Sequence, residues 1–407
     1  MWSGGVTHDR ARVNARLSVD GAKVRIVLAD NTEFSMPKYS DETTAEWQKN
    51  GRSIAATFEG LKPATRYYYA VEIDGTADTG RRGTFRTFPE GPSSFTVVFG
   101  SCASTGSQSP VFDTIREHEP DLFMHIGDFH YENISTNDPD EYREAFGRVL
   151  SSPTQSQLYR SVPIDYTWDD HDWGPNDSDR TNPARRAAHR VYRETVPHYD
   201  LDGDESPLYH AFTIGRARFI VLDTRAARDP RGTVKATMLG LRQKQWLFDQ
   251  LEEASKKHPL VFLVQGVPWI AATGKTGDGW ASYCDERREI ATRIEALGLT
   301  PRLVMLSGDA HMLAIDDGRH SNYATEGCGY SETAKGFPVF QAAAFDRMGS
   351  IKGGPYAPGF PRPGRGHFGL VTVTDTGTDV IRVQLSGRDR QDRELMGLDL
   401  KIPVATR

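Results

Sequence analysis

The sequence predicts two units of different fold class: an all-β sandwich over residues 1–90 and a layered α/β domain over residues 91–407. Three observations support this division. Short alternating apolar segments separated by turn residues fill the first ninety positions, apolar strands alternate with helical patterns after them, and a Pro/Gly-rich stretch lies between. With 38% apolar and 26% charged residues, the composition is that of a globular protein.

The first unit is predicted from strand periodicity and turn chemistry. Apolar residues alternate with polar ones at the start of the chain, at Val13, Ala15, Leu17 and Val19. The segment Leu61–Ile73 carries a Leu-x-Pro-x-Thr-x-Tyr pattern, which resembles a late strand of fibronectin type III-like domains. Pro89–Pro92 is predicted to be a linker. We therefore expect a small fibronectin type III-like sandwich before the linker.

The second unit is predicted from alternating strand and helix patterns, which are typical of an α/β layered domain. The predicted strands are Phe95–Phe99, Asp121–Ile126, Ile164–Trp168, Ala217–Leu222, Leu260–Val264, Arg302–Leu306, Leu370–Thr374 and Val380–Leu385. The predicted helices are Val111–His118, Asp140–Leu150, Ala184–Thr195, Leu239–Lys257 and Asp285–Leu297. The Gly/Pro-rich stretch Gly353–Gly366 is predicted to be a long loop, either beside a site or on the surface.

Charge and composition exclude several classes of protein. A net charge of −6 argues against binding nucleic acid or anionic membranes by bulk charge. The densest apolar run, Leu260–Val264, is too short to span a bilayer, and the first residues carry no secretory signal. Three cysteines, Cys102, Cys284 and Cys328, are too few for a disulfide framework. Each is expected to be a small buried residue, although one pair could be bridged.

Polar residues follow four of the apolar strands directly. The segments concerned are Gly100–Cys102, Gly127–Glu132, Asp169–Asp172 and Ser307–His311. Ligand sites of open α/β sheets form beyond the carboxyl ends of the strands. Carboxylates and imidazoles gathered there need a counter-charge, because their burial without one is costly. The sequence therefore predicts one or more cations at this edge.

These motifs, in this order, resemble the PhoD-like alkaline phosphatases, a branch of the calcineurin-like metallophosphoesterase superfamily. The resemblance covers the whole chain. It implies a four-layer αββα sandwich for the larger unit, with a phosphoesterase site that holds two or three metal ions.

The resemblance also implies a ligand set. Cys102, Asp128 and Tyr131 are expected to bind a ferric ion, and Asp128 to bridge to a second cation. Asn176, Asp309 and His311 would complete the cluster, and Asp346 would be a calcium ligand. Iron(III) and calcium are the implied metals, with manganese or zinc as alternatives. Phenolate, carboxylate and thiolate ligands suit a trivalent ion, whereas carboxylate and amide oxygens suit calcium.

The expected reaction is hydrolysis of phosphate esters, with in-line attack by a metal-bound hydroxide. His171 is expected to be the general acid, oriented by Asp170 or Asp172, or alternatively a metal ligand. Arg225 and Arg228 are candidates to bind phosphate oxygens, with surface ion pairs as the alternative.

Two other functions remain open at this level. One is a phosphodiesterase that acts on phospholipid, nucleotide or teichoic-acid diesters. The other is a non-catalytic binding protein that metal ions stabilise. The expected partner is a small phosphate ester, no nucleic-acid-binding surface is evident, and the oligomeric state stays open. The resemblance implies an extracytoplasmic location, because the family is commonly exported.

Overall fold

Three β-sheets organise the chain in the computed structural model, which describes residues 1–271 and 277–404. The strands before residue 91 are β1 (Trp2–Gly4), β2 (Ala11–Arg16), β3 (Lys23–Ala29), β4 (Lys38–Tyr39), β5 (Thr43–Thr44), β6 (Ser53–Phe58), β7 (Arg66–Ile73), β8 (Thr76–Ala77) and β9 (Gly83–Arg86). The later strands are β10 (Phe95–Gly100), β11 (Leu122–Ile126), β12 (Ile164–Thr167), β13 (His210–Ile214), β14 (Ala217–Val221), β15 (Leu260–Gln265), β16 (Leu303–Ser307), β17 (Met312–Asp316), β18 (Val339–Ala342), β19 (Arg362–Pro363), β20 (His367–Thr374), β21 (Val380–Asp389) and β22 (Glu394–Pro403).

Helices connect many of these strands. They are α1 (Trp47–Asn50), α2 (Val111–Glu117), α3 (Pro139–Ser151), α4 (Pro153–Ser161), α5 (Asp170–Trp173), α6 (Arg185–Thr195), α7 (Gly240–Lys257) and α8 (Cys284–Ala296). Helix α3 begins where Asp138 caps it and Pro139 occupies its first position, a common helix start. In the described ranges, no helix has the length and apolar character needed to cross a membrane.

Two large sheets pack face to face. One has the strand order β22-β21-β20-β10-β11-β12-β1-β2-β6, and the other β13-β14-β15-β16-β18-β17-β19, among the described residues. Aromatic rings meet between them: Phe99 and Phe340 have centroids 5.0 Å apart, with perpendicular rings. The predicted α/β sandwich is therefore confirmed.

Helices cover the outer face of each large sheet. On the first sheet, Val98 and Phe123 pack in one apolar cluster with side chains of α2, α3, α4 and α6. On the second sheet, Leu263 packs in another cluster with side chains of α7 and α8. Alternate residues of one strand thus serve two cores: Val98 faces helices, whereas Val97 and Phe99 face the opposite sheet.

The N-terminal unit shares a sheet with the larger one. Strand β1 pairs in parallel with β12, with Gly4 opposite Ile164, and β2 and β6 continue the same sheet. The indole of Trp2 donates a hydrogen bond to the Thr195 carbonyl at 2.9 Å. Strands β3, β4, β5, β7, β8 and β9 form the third sheet. The boundary near residue 90 stays a prediction, and hydrogen bonds cross it.

The cysteines differ from the simplest expectation. Cys284, at the start of α8, and Cys328 form a disulfide across 44 residues of sequence. Cys102 is free and buried. Cys284 and Cys328 are therefore crosslinked rather than free buried residues, which is the alternative that the sequence left open.

Gly4 offers a test of the junction between β1 and β12. A Cβ added there would collide with the carbonyl oxygens of Pro197 and Ile164. We expect Gly4→Ala to lower the free energy of unfolding by roughly 1–3 kcal/mol, the usual cost of overpacking, measured as a lower thermal midpoint. Gly329→Ala is the control, because a Cβ there has no atom within 4 Å. Equal midpoints for the two variants would contradict a tight junction.

Candidate metal centre

Three predicted ligands adopt the left-handed backbone conformation just beyond a strand. Cys102 follows β10 with φ 65°, Asp128 follows β11 with φ 56°, and Asp309 follows β16 with φ 64°. Such residues are uncommon outside glycine, and they concentrate at functional sites. The turns are tied together, because the Cys102 amide donates to the Gly127 carbonyl and the Asp309 amide to the Ser101 hydroxyl.

The first group of ligand atoms gathers around the Asp128 carboxylate. The Tyr131 hydroxyl donates to Asp128 Oδ2 at 2.6 Å, and Cys102 Sγ lies 3.3 Å from the same oxygen. His311 Nε2 is 3.2 Å from the Tyr131 hydroxyl. His311 Nδ1 lies 2.7 Å from the Met348 carbonyl. A carbonyl only accepts, so Nδ1 carries the proton and Nε2 offers its lone pair to a cation.

A second group shares Asp128 with the first. Ligand-type atoms of Asp128, Asp170 and His171 lie within 4.8 Å of one another, as do those of Cys102, Asp128 and His311. The backbone amide of His171 also donates to Asp128 Oδ1 at 3.3 Å. Asp128 therefore belongs to both groups, and its expected role as a bridge between two cations stays a prediction.

Further carboxylates extend the cluster toward Asp278. Asp169, Asp278 and Asp309 form one group within 4.8 Å, and Asp170, Asp177 and Asp278 form another. Asp278 and Asp309 come from the loops after β15 and β16, Asp169 and Asp170 from the start of α5 after β12, and Asp177 from the loop after α5. The described residues thus hold a continuous set of anionic groups at the common edge of the two large sheets.

Burial makes this cluster expensive to ionise. Burial, and next the charges of Asp170 and Asp169, raise the pKa of Asp128 well above its ordinary value. Burial also raises the pKa of the Cys102 thiol and that of the Tyr131 hydroxyl well above their ordinary values. The negative charge of Asp128 raises both pKa values further. Burial raises the pKa of Asp309 to about 6 despite the nearby Lys352. Cations among these groups would remove the cost.

Unpartnered oxygens support the same conclusion. Asp169 Oδ2, Asp170 Oδ1 and Asp309 Oδ2 are buried and have no hydrogen-bond partner in the described part of the chain. Buried carboxylate oxygens are normally satisfied, and an ion is one of the ways to do so. Because each of the three residues also belongs to a ligand group, the donor set fits bound cations.

Arg225 and Arg228 do not have the predicted phosphate-binding role. The Arg225 side chain is 0% exposed and donates to Asp169 Oδ1 at 2.5 Å and to both oxygens of Asp278. Arg228 is also buried and pairs with Asp278 at 2.7 Å. Their donors face carboxylates inside the protein, so substrate does not reach them. Nor are they surface pairs: both are internal counter-charges.

The orientation of His171 also differs from the prediction. Its Nδ1 lies 2.7 Å from Asn133 Oδ1, so Asn133 rather than Asp170 or Asp172 holds the ring. Asp172 accepts from the Phe129 and Asp169 amides and from the Tyr166 hydroxyl. Asp170 accepts from the Asp177 amide at 2.6 Å. Neither carboxylate therefore orients the His171 ring: Asp172 is held by two amides and the Tyr166 hydroxyl, and Asp170 by one amide through Oδ2.

Two predicted ligands stand apart from these groups. The Asp346 carboxylate accepts from the Ser107 hydroxyl and from Arg365 Nε at 2.5 Å, so its oxygens serve a local ion pair. The structure does not place it among the ligand groups, which corrects the expectation for this residue. Asn176 is exposed on the loop after α5, and its role as a ligand stays a prediction.

Sequence reasoning missed Asn133, Asp278 and Lys352. Lys352 Nζ lies 2.5 Å from Asp309 Oδ1. Asp278 stands between two glycines, a pattern that predicts only a turn. Asn133 and Lys352 lie in loops without periodicity. No local pattern distinguished these three residues, since their importance comes from where distant segments meet.

Burial lowers the pKa of two histidines in the cluster. The pKa of His171 falls below its ordinary value, and that of His311 falls to about 4. The positive charges of Arg347 and Lys352 contribute to both shifts. Both histidines are therefore held in the neutral form, which is the form that binds metal ions.

Comparisons with known proteins agree with this geometry. The sequence profile described as "PhoD-like phosphatase" matches residues 96–339. Alkaline phosphatase D of Bacillus subtilis (strain 168) is 25% identical over 338 residues, which are 70% of this chain and 56% of that protein. Purple acid phosphatase 15 of Arabidopsis thaliana is 24% identical over 256 residues, 58% of this chain and 44% of that protein.

The chain spans about half the length of these curated relatives. Among solved structures, one titled "Structure of PhoD" superposes with a TM-score of 0.80 at 20% identity, covering 100% of this chain and 92% of that one. At this identity the superposition shows the fold alone. The profile match covers more than half of the chain, and it confirms the resemblance carried by the strand-end motifs: the chain belongs to the PhoD-like phosphatase family.

Proposed function

We propose that this protein hydrolyses phosphate esters with the help of bound metal ions. The observation that carries the proposal is the pair of ligand groups sharing Asp128, surrounded by buried carboxylate oxygens that lack a hydrogen-bond partner among the described residues. Membership of a phosphatase family and similarity to two phosphatases support it. A structural metal site would not need two ligand groups that share Asp128, nor the partly exposed His171 beside them.

The ligand chemistry supports different ions in the two groups. Cys102, Asp128, Tyr131 and His311 would hold the first ion, for which iron(III) is our assignment, because thiolate and phenolate ligands favour a trivalent ion. Asp128 and Asp170 would hold calcium through their carboxylate oxygens. Asp309 and Asn176, which the sequence resemblance also assigns as oxygen ligands, would complete that site. Bound cations would activate water and neutralise charge on the phosphoryl group.

The chain itself supplies a group for proton transfer. Asn133 Oδ1 accepts from His171 Nδ1, so the neutral ring carries its proton on Nδ1 and Nε2 can accept a second one. The ring also lies against the Tyr131 ring, with centroids 4.1 Å apart, so its plane is restrained. We propose that His171 Nε2 takes up the proton that the attacking water releases and, as the imidazolium, donates it to the departing oxygen of the ester.

We propose an extracytoplasmic location. The disulfide between Cys284 and Cys328 supports it, because such bonds persist mainly in oxidising compartments.

We also propose that the N-terminal unit is a fibronectin type III-like sandwich. The Tyr67 hydroxyl accepts the Lys62 amide at 2.9 Å, five residues upstream. This is the bond of the tyrosine corner that is typical of immunoglobulin-like sandwiches. It also explains why β7 begins at Arg66 rather than Leu61: the preceding residues form the corner.

Removing the shared carboxylate tests the site directly. We expect Asp128→Ala and Asp309→Ala each to abolish hydrolysis of para-nitrophenyl phosphate and to reduce bound metal, measured by mass spectrometry. Asp165→Asn is the matched control: Asp165 is another buried aspartate, in β12, paired with His210 at 2.8 Å outside the ligand groups. Full turnover in either alanine variant would contradict the assignment.

His171→Gln separates the two roles left open for this residue. If Nε2 transfers a proton, kcat falls by about 10²–10⁴ while metal content stays at the level of the unmodified protein. If His171 is instead a ligand, metal content falls together with kcat. Loss of metal would therefore refute the proton-transfer role.

Tyr131→Phe tests the assignment of iron. A tyrosinate or thiolate bound to iron(III) gives a visible charge-transfer band, and we expect the freshly purified protein to show one. The phenylalanine variant should lose or shift this band, as monitored by absorption spectroscopy. A colourless, iron-free and fully active protein would remove iron from the account.

A further inference from the structure

Residues 346–352 wrap around His311 and are fixed to it. The Met348 carbonyl accepts the proton of His311 Nδ1 at 2.7 Å, and the Ser350 amide donates to the His311 carbonyl at 3.1 Å. Just after this segment, the Gly354 amide donates a hydrogen bond to the Ile270 carbonyl at 2.9 Å. The segment is therefore held at both ends beside the metal centre, and it carries two basic side chains.

The first of these, Arg347, lies over the Tyr131 ring. Its guanidinium carbon is 3.9 Å from the ring centroid, a cation–π contact. Within residues 1–271 and 277–404, no carboxylate pairs with this guanidinium, and the side chain is partly exposed. Its planar set of donors is thus available at the edge of the group formed by Cys102, Asp128 and His311.

The second, Lys352, stands at the Asp309 carboxylate. Its Nζ is 2.5 Å from Asp309 Oδ1, while the lysine side chain is 45% exposed and that of Asp309 only 6%. An ammonium group has three donors. With one directed at Asp309, the others are free for a ligand that approaches from solvent.

Arg225 and Arg228 cannot supply this function, because their guanidinium groups are 0% and 1% exposed and face buried carboxylates. A phosphate monoester nevertheless brings two negative charges to a cluster that is itself anionic. Exposed donors of positive charge beside the ligand groups would offset that repulsion.

We propose that Arg347 and Lys352 bind the non-bridging oxygens of the phosphoryl group of the substrate. This inference rests on the proposed function and assigns its substrate contacts. Arginine matches a pair of phosphate oxygens through two parallel hydrogen bonds, and lysine contributes a compact charge. A dianionic monoester has more charge to offset than a monoanionic diester, so the pair favours monoesters.

The test compares Arg347→Gln and Lys352→Gln with Arg362→Gln, an exposed arginine in β19 that lies outside the ligand groups. The metal-loaded full chain is assayed with para-nitrophenyl phosphate and bis-para-nitrophenyl phosphate, and inorganic phosphate serves as a competitive inhibitor. We expect each glutamine variant to raise KM for the monoester and Ki for phosphate about tenfold, with smaller changes for the diester. Lys352→Arg should restore most of the loss, and Arg362→Gln should match the unmodified protein.

Metal content, measured on every variant, separates substrate binding from support of the centre. Unchanged KM and Ki in both glutamine variants would overturn the inference. A loss of metal that accounts for the loss of activity in Lys352→Gln would overturn it for Lys352, which would then only balance Asp309. The unmodified protein decides the proposed function on its own: if it hydrolyses neither ester, that proposal fails, and calorimetric titration with phosphate still tests the two side chains.

Discussion

Negative charge buried at the shared edge of two sheets is the constraint on which this structure depends. Asp128, Asp169, Asp170 and Asp309 come from segments that follow three different strands, and all four side chains are buried. Arg225 balances part of this charge from within. Lys352 balances part of it at Asp309, and bound cations would neutralise the remainder, so folding and cation binding would be electrostatically coupled.

The ligand groups were largely predictable from the sequence, because their members directly follow strands that could be recognised by periodicity. Cys102, Asp128 and His311 are examples, and the structure brings them together. Roles that depend on burial were not predictable. Nothing in the sequence around Arg225 distinguishes an internal counter-charge from a phosphate-binding arginine, since the difference lies in packing by segments more than fifty residues away.

The fold shows the same division. Strands β10, β11 and β12 of the first sheet and β14, β15 and β16 of the second were predicted because they are short, apolar and flanked by turns, whereas the interior strand β18 was not. Strand β1 was not, since Trp2–Gly4 has only three residues and its pairing with β12 spans some 160 positions of sequence. Strand β22 was not predicted either, although Met396, Leu398, Leu400 and Ile402 alternate with glycine or charged residues and pack against the core between the sheets.

The pairing of β1 with β12 has a consequence for how this protein can be divided. A shortened chain starting at residue 91 would leave one side of β12 with bare amide and carbonyl groups. An unpaired strand edge of this kind can pair with a strand of another copy, so we expect the shortened chain to aggregate. The N-terminal region therefore covers an edge of β12 that the larger unit would otherwise leave unpaired.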